Sequence, residues 1–126
     1  MIRVAERKRI YDALESGDML RAVAALPQPC DLMLAADVLV YCGDLAPLFH
    51  VLAEKLTGLL AFTVQRAESG TFVLGPEQRF SHSRAYVADL AAAAGFTVMT
   101  LENAVTRQEK GADVPGLVAV LSRAPA

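Results

Sequence analysis

The residues best placed for chemistry lie between Asp31 and Phe49. An apolar run from Leu32 to Ala36 has the length of a buried strand, and the acid Asp37 follows at its carboxyl end. In open α/β sheets, ligands bind just outside the carboxyl ends of the strands. We therefore predict a ligand site in the loop from Asp37 to Gly43. An aspartate after a buried strand is also a common turn former or helix cap, so both roles stay open for Asp37.

Other reactive side chains carry weaker signals. His82 stands between two serines at a predicted helix start, where it could take part in substrate-side chemistry or in capping. Tyr41 could line a pocket or pack under the loop. Cys30 and Cys42 have neither metal-ligand spacing nor a neighbour that would activate a thiol, so we predict no metal site and no catalytic cysteine.

Composition limits the classes of function. The 126 residues fit one domain, residues 1–126, with 54% hydrophobic and 21% charged residues. A net charge of −2 gives no indication of nucleic acid as a partner. No stretch reaches the roughly 20 apolar residues of a membrane span. Two unpaired cysteines without a signal peptide favour reduced thiols and a cytoplasmic location.

These residues need elements to position them, and the pattern predicts strands alternating with helices. Ile2 to Ile10 is a predicted amphipathic helix. The other predicted helices are Met19 to Leu26, Asp44 to Leu56, and one from Ser81 or Ser83 to Ala94; the predicted strands are Leu32 to Ala36, Leu59 to Val64, Phe96 to Leu101 and Leu117 to Leu121, with a hairpin or excursion between Gln65 and Arg79 and a polar turn from Arg107 to Asp113. Such alternation, closing on an antiparallel strand pair, indicates an α/β three-layer sandwich.

Five segments, in order and at ordinary spacing, resemble class I S-adenosylmethionine-dependent methyltransferases. The nearest subgroup is the bacterial predicted methyltransferases that often carry tetratricopeptide repeats. The segments are Asp31 to Asp44, the helix after it, the strand Gly58 to Val64, Arg79 to Tyr86, and Ala94 to Val98. The resemblance implies a Rossmann-like three-layer sandwich, with a mostly parallel sheet and an antiparallel carboxyl-terminal strand pair.

The resemblance also implies a set of site residues. Asp18 and Met19 stand where the family holds the adenine ring of S-adenosylmethionine. The turn Ala36-Asp37-Val38 stands beside the methionine and ribose of that cofactor. Tyr41 and the excursion up to Ser83, which includes His82, stand where the methyl acceptor enters. Asp18 is also a ready helix cap for the residues after it.

The sequence departs from the family pattern at positions that bind the cofactor. The glycine-rich turn after the family's first strand and the acid after its second strand have no counterparts here, which implies an amino-terminally truncated fold. In the family order 3-2-1-4-5-7-6, the strand Leu32 to Ala36 would then have one bare edge, and proteins normally cover such edges.

Two hypotheses follow. The chain is a methyltransferase-family domain that in its complete form transfers a methyl group to an unknown acceptor, with S-adenosylmethionine bound weakly or not at all by this chain. Alternatively, it is a non-enzymatic α/β module that forms a homodimer through its exposed sheet edge.

Overall fold

The computed structural model describes residues 19–26, 29–36, 38–75 and 78–123. The predicted helix Ile2 to Ile10 lies outside them. The helices are α1 (Met19–Ala24), α2 (Ala46–Lys55) and α3 (Arg84–Ala93), with one short 3-10 helix at Leu39–Tyr41; the strands are β1 (Cys30–Ala35), β2 (Leu56–Ala67), β3 (Phe72–Leu74), β4 (Phe80–Ser83), β5 (Thr97–Glu109) and β6 (Ala112–Ser122).

One sheet contains all six of these strands. β2 pairs with β6 on one side, and with β1 and β4 on the other, where β1 takes the first part of β2 and β4 takes its end. The β1–β2 and β2–β4 pairs are parallel, whereas β2–β6, β5–β6 and β3–β4 are antiparallel. The order β1-β2-β6-β5 matches the 4-5-7-6 part of the family order. The predicted α/β class and carboxyl-terminal antiparallel pair are confirmed.

The core lies between the helices and one face of the sheet. Alternate residues of β2 and β6 point to this face, and the register aligns Leu60 with Leu121 and Phe62 with Ala119. All four are buried. Phe49 of α2 packs edge-on against Phe62, with ring centroids 5.8 Å apart. The helical spacing of Leu45, Leu48, Phe49 and Leu52 predicts an inner stripe for α2 and the residue before it, and all four residues are buried.

The opposite face of the sheet is open near β1. Leu32 and Leu34 are 55% and 72% exposed, and Leu59, which is aligned with Leu32 on β2, is 40% exposed. The apolar run in β1 led us to expect a strand covered on both faces. That expectation is wrong for the described residues, because their helices contribute to a core on the other face only.

Two element boundaries also differ from prediction. The helix α2 ends at Lys55 and β2 begins directly at Leu56, so Thr57-Gly58 lies within a strand and does not form a helix stop. Gly58 is required there because a Cβ would overlap the carbonyl group of Asp31 on β1. The polar segment predicted as a turn, Arg107 to Asp113, is mostly strand, and β5 and β6 form one long hairpin that turns at 110–111.

Candidate functional site

The loop after β1 leads from the strand end into α2. Ala36 and Val38 are exposed at the start of this loop, and Asp37 lies outside the described residues. The 3-10 helix then buries Leu39 and Val40 against the core, with 2% exposure each. Tyr41 follows and points outward at 61% exposure, with the Arg79 guanidinium 5.1 Å from its ring centre. The loop therefore has a buried anchor and an exposed, partly aromatic outer surface.

His82 holds the second half of this loop from behind. It lies in β4, not at a helix start as predicted, and its side chain is fully buried. Nε2 lies 2.8 Å from the carbonyl oxygen of Cys42 and 3.1 Å from that of Gly43. Carbonyl oxygens only accept hydrogen bonds, so Nε2 carries the proton and donates. The other ring nitrogen, Nδ1, is buried and has no hydrogen-bond partner among the described residues.

Burial lowers the pKa of His82 below its ordinary value of 6.5, against the opposing effect of its bonds to the two carbonyl groups. The imidazole therefore favours the neutral form, in which one nitrogen donates and the other accepts. A neutral, buried ring behind a loop is suited to holding backbone, and contact with an acceptor molecule would require the loop to move.

Tyr86 of α3 secures the same loop at its far end. Its hydroxyl donates to the carboxylate of Asp44 at 3.2 Å and accepts from the backbone N–H of Leu45 at 3.0 Å. Burial raises the pKa of Tyr86, and the nearby Asp44 carboxylate acts in the same direction, while the Leu45 N–H opposes them. The Asp44 carboxylate also accepts from the Ala46 N–H at 3.0 Å at the start of α2. An aspartate at the start of a predicted helix commonly caps it, and this contact gives Asp44 that role.

Four rings surround these contacts. His82 stacks on Tyr86 with a 9° angle between the ring planes and 6.1 Å between centroids. Phe72 lies 5.7 Å from Tyr86 and 6.0 Å from Phe80. A Cβ at Gly43 would come within 2.8 Å of both phenylalanine rings, so a larger residue at this position would force the rings to move. We call these four residues (Phe72, Phe80, His82 and Tyr86) the aromatic seat of the loop.

A cavity of about 460 Å³ opens on the other side of the loop. It lies between the start of α1 and the carboxyl end of β1, two segments that the resemblance assigned to the cofactor. Its lining is mostly apolar and includes Leu20, Val38, Tyr41 and Asp44. Small-molecule sites commonly combine an apolar wall with a few polar groups, and this cavity has that composition.

The predicted site residues are thus only partly brought together. Val38 and Tyr41 line the cavity, and Met19 opens the helix whose next residue, Leu20, also lines it. Asp18 and Asp37 lie outside the described residues. His82 lies behind the loop. In the part of the chain that the structure describes, no group of three or more His, Cys, Asp or Glu side chains could hold a metal ion, and no helix is long and apolar enough to cross a membrane.

Sequence reasoning missed the aromatic seat. The spacing Phe80-x-His82 has the period of a strand, and Tyr86 follows one helical turn after Ser83. Ser83 accepts from the Tyr86 N–H at 3.1 Å and caps α3, as predicted. The helix cap was recognised, but the short strand before it was read as part of the same helix start.

Comparison with known proteins places the fold. No protein-family model matches the sequence, and no curated protein matches it significantly. Solved structures do match. A SAM-dependent methyltransferase from Methanosarcina mazei gives a TM-score of 0.68 at 12% identity, covering 99% of this chain and 78% of that one. One from Clostridium acetobutylicum gives 0.63 at 10% identity, covering 98% and 69%.

Magnesium protoporphyrin IX methyltransferase from Synechocystis PCC 6803, with bound SAM, gives a TM-score of 0.65 at 16% identity. The match covers 98% of this chain and 55% of that enzyme, so the chain spans about half of its length. Identities this low establish the fold and leave the activity open. The chain has the Rossmann-like fold of SAM-dependent methyltransferases.

Proposed function

We propose that this chain is a methyltransferase domain that contributes one wall of a site for S-adenosylmethionine and a methyl acceptor. The observation that carries the proposal is the cavity beside Val38 and Tyr41. It lies at the carboxyl end of a parallel strand, where α/β folds bind ligands, and it adjoins the start of α1. The resemblance assigns the start of α1 and the turn at Val38 to the cofactor.

The residues present fit the adenosyl part of such a cofactor. An adenine ring needs an apolar slot with a few polar groups at its rim, and Leu20, Val38 and Leu48 give the cavity apolar walls beside the Asp44 carboxylate. The cofactor supplies a methyl group on a sulfonium, and transfer is an in-line displacement promoted by positioning and desolvation. The aromatic seat holds the loop that forms one of the cavity walls.

Tyr41 is the proposed acceptor-side residue. Its ring is exposed on the outer surface of the loop, and the Arg79 guanidinium lies over that ring. His82 supports the loop by donating to its carbonyl groups and is a positioning residue in this proposal. The acceptor's chemical class stays open. Because the chain contributes only one wall of the cofactor site, we expect weak binding, with a dissociation constant for the cofactor in the millimolar range.

Ligand-observed saturation-transfer NMR with S-adenosylhomocysteine tests the proposal. We expect weak transfer to the adenine protons, reduced at least twofold by Val38→Glu, which places a charge at the cavity. Val105→Glu is the matched control, since Val105 is an exposed valine on β5. Absence of transfer to the wild-type chain would refute cofactor binding, and a low-micromolar affinity would refute the single-wall account.

A further inference from the structure

A polar cavity of about 370 Å³ lies at the carboxyl ends of two neighbouring parallel strands. β2 ends at Ala67 and β4 ends at Ser83, and the register aligns these two residues. Both line the cavity, and so do Arg66, Glu68, Arg84 and Ala85. Open α/β sheets bind ligands just outside the carboxyl ends of their strands. This second cavity therefore lies where the fold can bind a ligand, and it shares no lining residue with the cavity beside Val38.

Arg66 brings a buried donor without a partner to this cavity. Its Nε atom is buried and has no hydrogen-bond partner in the part of the chain that the structure describes. Nη2 of the same guanidinium donates to the Glu68 carboxylate at 3.2 Å. The Glu68 side chain is 81% exposed, and an ion pair with so exposed a partner contributes little stability. An anion that enters the cavity can therefore replace Glu68 at this guanidinium.

Arg84 adds a second positive charge to the cavity. Its guanidinium donates to the carbonyl oxygen of Leu101 and to the side-chain oxygen of Asn103. Both acceptors are neutral, and no carboxylate of the described residues forms an ion pair with Arg84. The two hydrogen bonds hold the guanidinium in place and leave its charge without a counterion. The lining thus combines two arginines with one carboxylate, which is exposed.

The start of α3 acts in the same direction as the two arginines. Its first turn contains no acidic residue, and Ser83 caps it by accepting from the Tyr86 N–H. The N–H groups of Arg84 and Ala85 come before the first intrahelical hydrogen bond, so they remain able to donate to a ligand. The Ser83 hydroxyl donates to the Gly70 carbonyl oxygen at 2.6 Å, which holds the segment after β2 against the helix start.

We propose that this cavity binds the phosphate group of a small molecule. Planar guanidinium groups bind phosphate through paired hydrogen bonds, and helix amino termini favour the same group. The phosphate replaces the Glu68 carboxylate at Arg66 and accepts from the first turn of α3. The volume of about 370 Å³ exceeds that of a phosphate alone and leaves room for the organic part of the ligand. The site does not depend on whether the chain binds S-adenosylmethionine.

Amide NMR titration of the 126-residue chain with inorganic phosphate, at constant ionic strength, tests the proposal. We expect saturable shifts at Gly70, Arg84 and Ala85, with a dissociation constant below about 10 mM. Acetate, a carboxylate with a single charge, should give smaller shifts that do not saturate. Glu68→Gln removes the competing carboxylate and should strengthen phosphate binding at least about twofold. Because Glu68 is exposed, this variant is expected to fold as the wild type does.

Arginine variants give the second readout. Arg84→Gln should weaken phosphate binding at least about fivefold, because charge-assisted hydrogen bonds become neutral ones. Arg21→Gln is the matched control, since it removes the same charge from an exposed position of α1 that does not line this cavity. Equal effects of the two variants, equal shifts with acetate, or weaker binding by Glu68→Gln would overturn the proposal. The absence of saturable shifts up to about 50 mM phosphate would also overturn it.

Discussion

At the scale of single residues, His82 makes the loop sensitive to pH. Its folded-state pKa is lowered by burial, so the unfolded chain, with a value near 6.5, binds the proton more tightly. The contribution of His82 to the free energy of unfolding is therefore fully present above about pH 6.5. It decreases as the pH falls from about 6.5 through the lower pKa of the folded state. Urea denaturation between about pH 5 and pH 8 should show this fall.

The variant His82→Gln isolates this effect. A glutamine amide can donate to the Cys42 and Gly43 carbonyl groups without titrating. We expect the variant to lose the part of the pH dependence that belongs to residue 82, whatever its overall stability. A variant with the same slope below pH 6.5 as the wild type would show that His82 is not the group responsible.

Substitution of Gly43 tests whether the aromatic seat packs against the loop. A Cβ there would lie 2.8 Å from the rings of Phe72 and Phe80, which contact each other edge-on. Gly43→Ala is expected to destabilise the fold by about 1–3 kcal/mol, measured by chemical denaturation. Gly75→Ala is the control, because a Cβ at Gly75 meets nothing closer than 3.4 Å. Equal effects of the two variants would argue against the seat.

At the scale of elements, Gly58 determines how closely β1 can approach β2. A side chain at this position would collide with the backbone of Asp31, next to the irregularity that separates Cys30 from Leu32 in the ladder. We expect Gly58→Ala to cost at least about 2 kcal/mol and to shift the amide NMR signals of β1. Thr57→Ala, at the adjacent exposed position, should cost less, and unchanged β1 signals in Gly58→Ala would contradict this pairing.

The strands and helices differ in how well the sequence predicts them. The apolar runs of β2 and β6 and the inner stripe of α2 were predictable because burial imposes a regular pattern on them, whereas the apolar run of β1 predicted the strand but not its exposed leucines. The extension of β5 to Glu109 was not, since its polar residues alternate on an exposed surface and resemble a turn. β4 was missed because the alternation of Phe80 and His82 covers only four residues and runs directly into the helix start at Ser83. Its place is determined by pairing with β2 and β3.

The candidate site was predictable in location only. The strand-end rule pointed to the loop after β1, and the cavity beside Val38 lies there. The loop's support comes from His82 and Tyr86, about 40 residues later in the chain. Such contacts depend on how β4 and α3 pack, which no local pattern encodes.

At the scale of the whole molecule, the sheet is asymmetric. The described helices cover one face, while Leu34 of β1, on the other face, is 72% exposed. The chain as a whole aligns with about half of the Synechocystis methyltransferase. The cavity beside Val38 and the exposed leucines of β1 therefore lie around the same strand.

The central claim is that the cavity at the carboxyl end of β1 receives the adenosyl group of the cofactor. Amide chemical-shift mapping of the 126-residue chain with millimolar S-adenosylhomocysteine tests it most directly. The account predicts shifts concentrated at Leu20 and in residues 38–45, with none at the β5–β6 turn around Gly111. Shifts confined to other parts of the sheet, or no shifts at all, would contradict it.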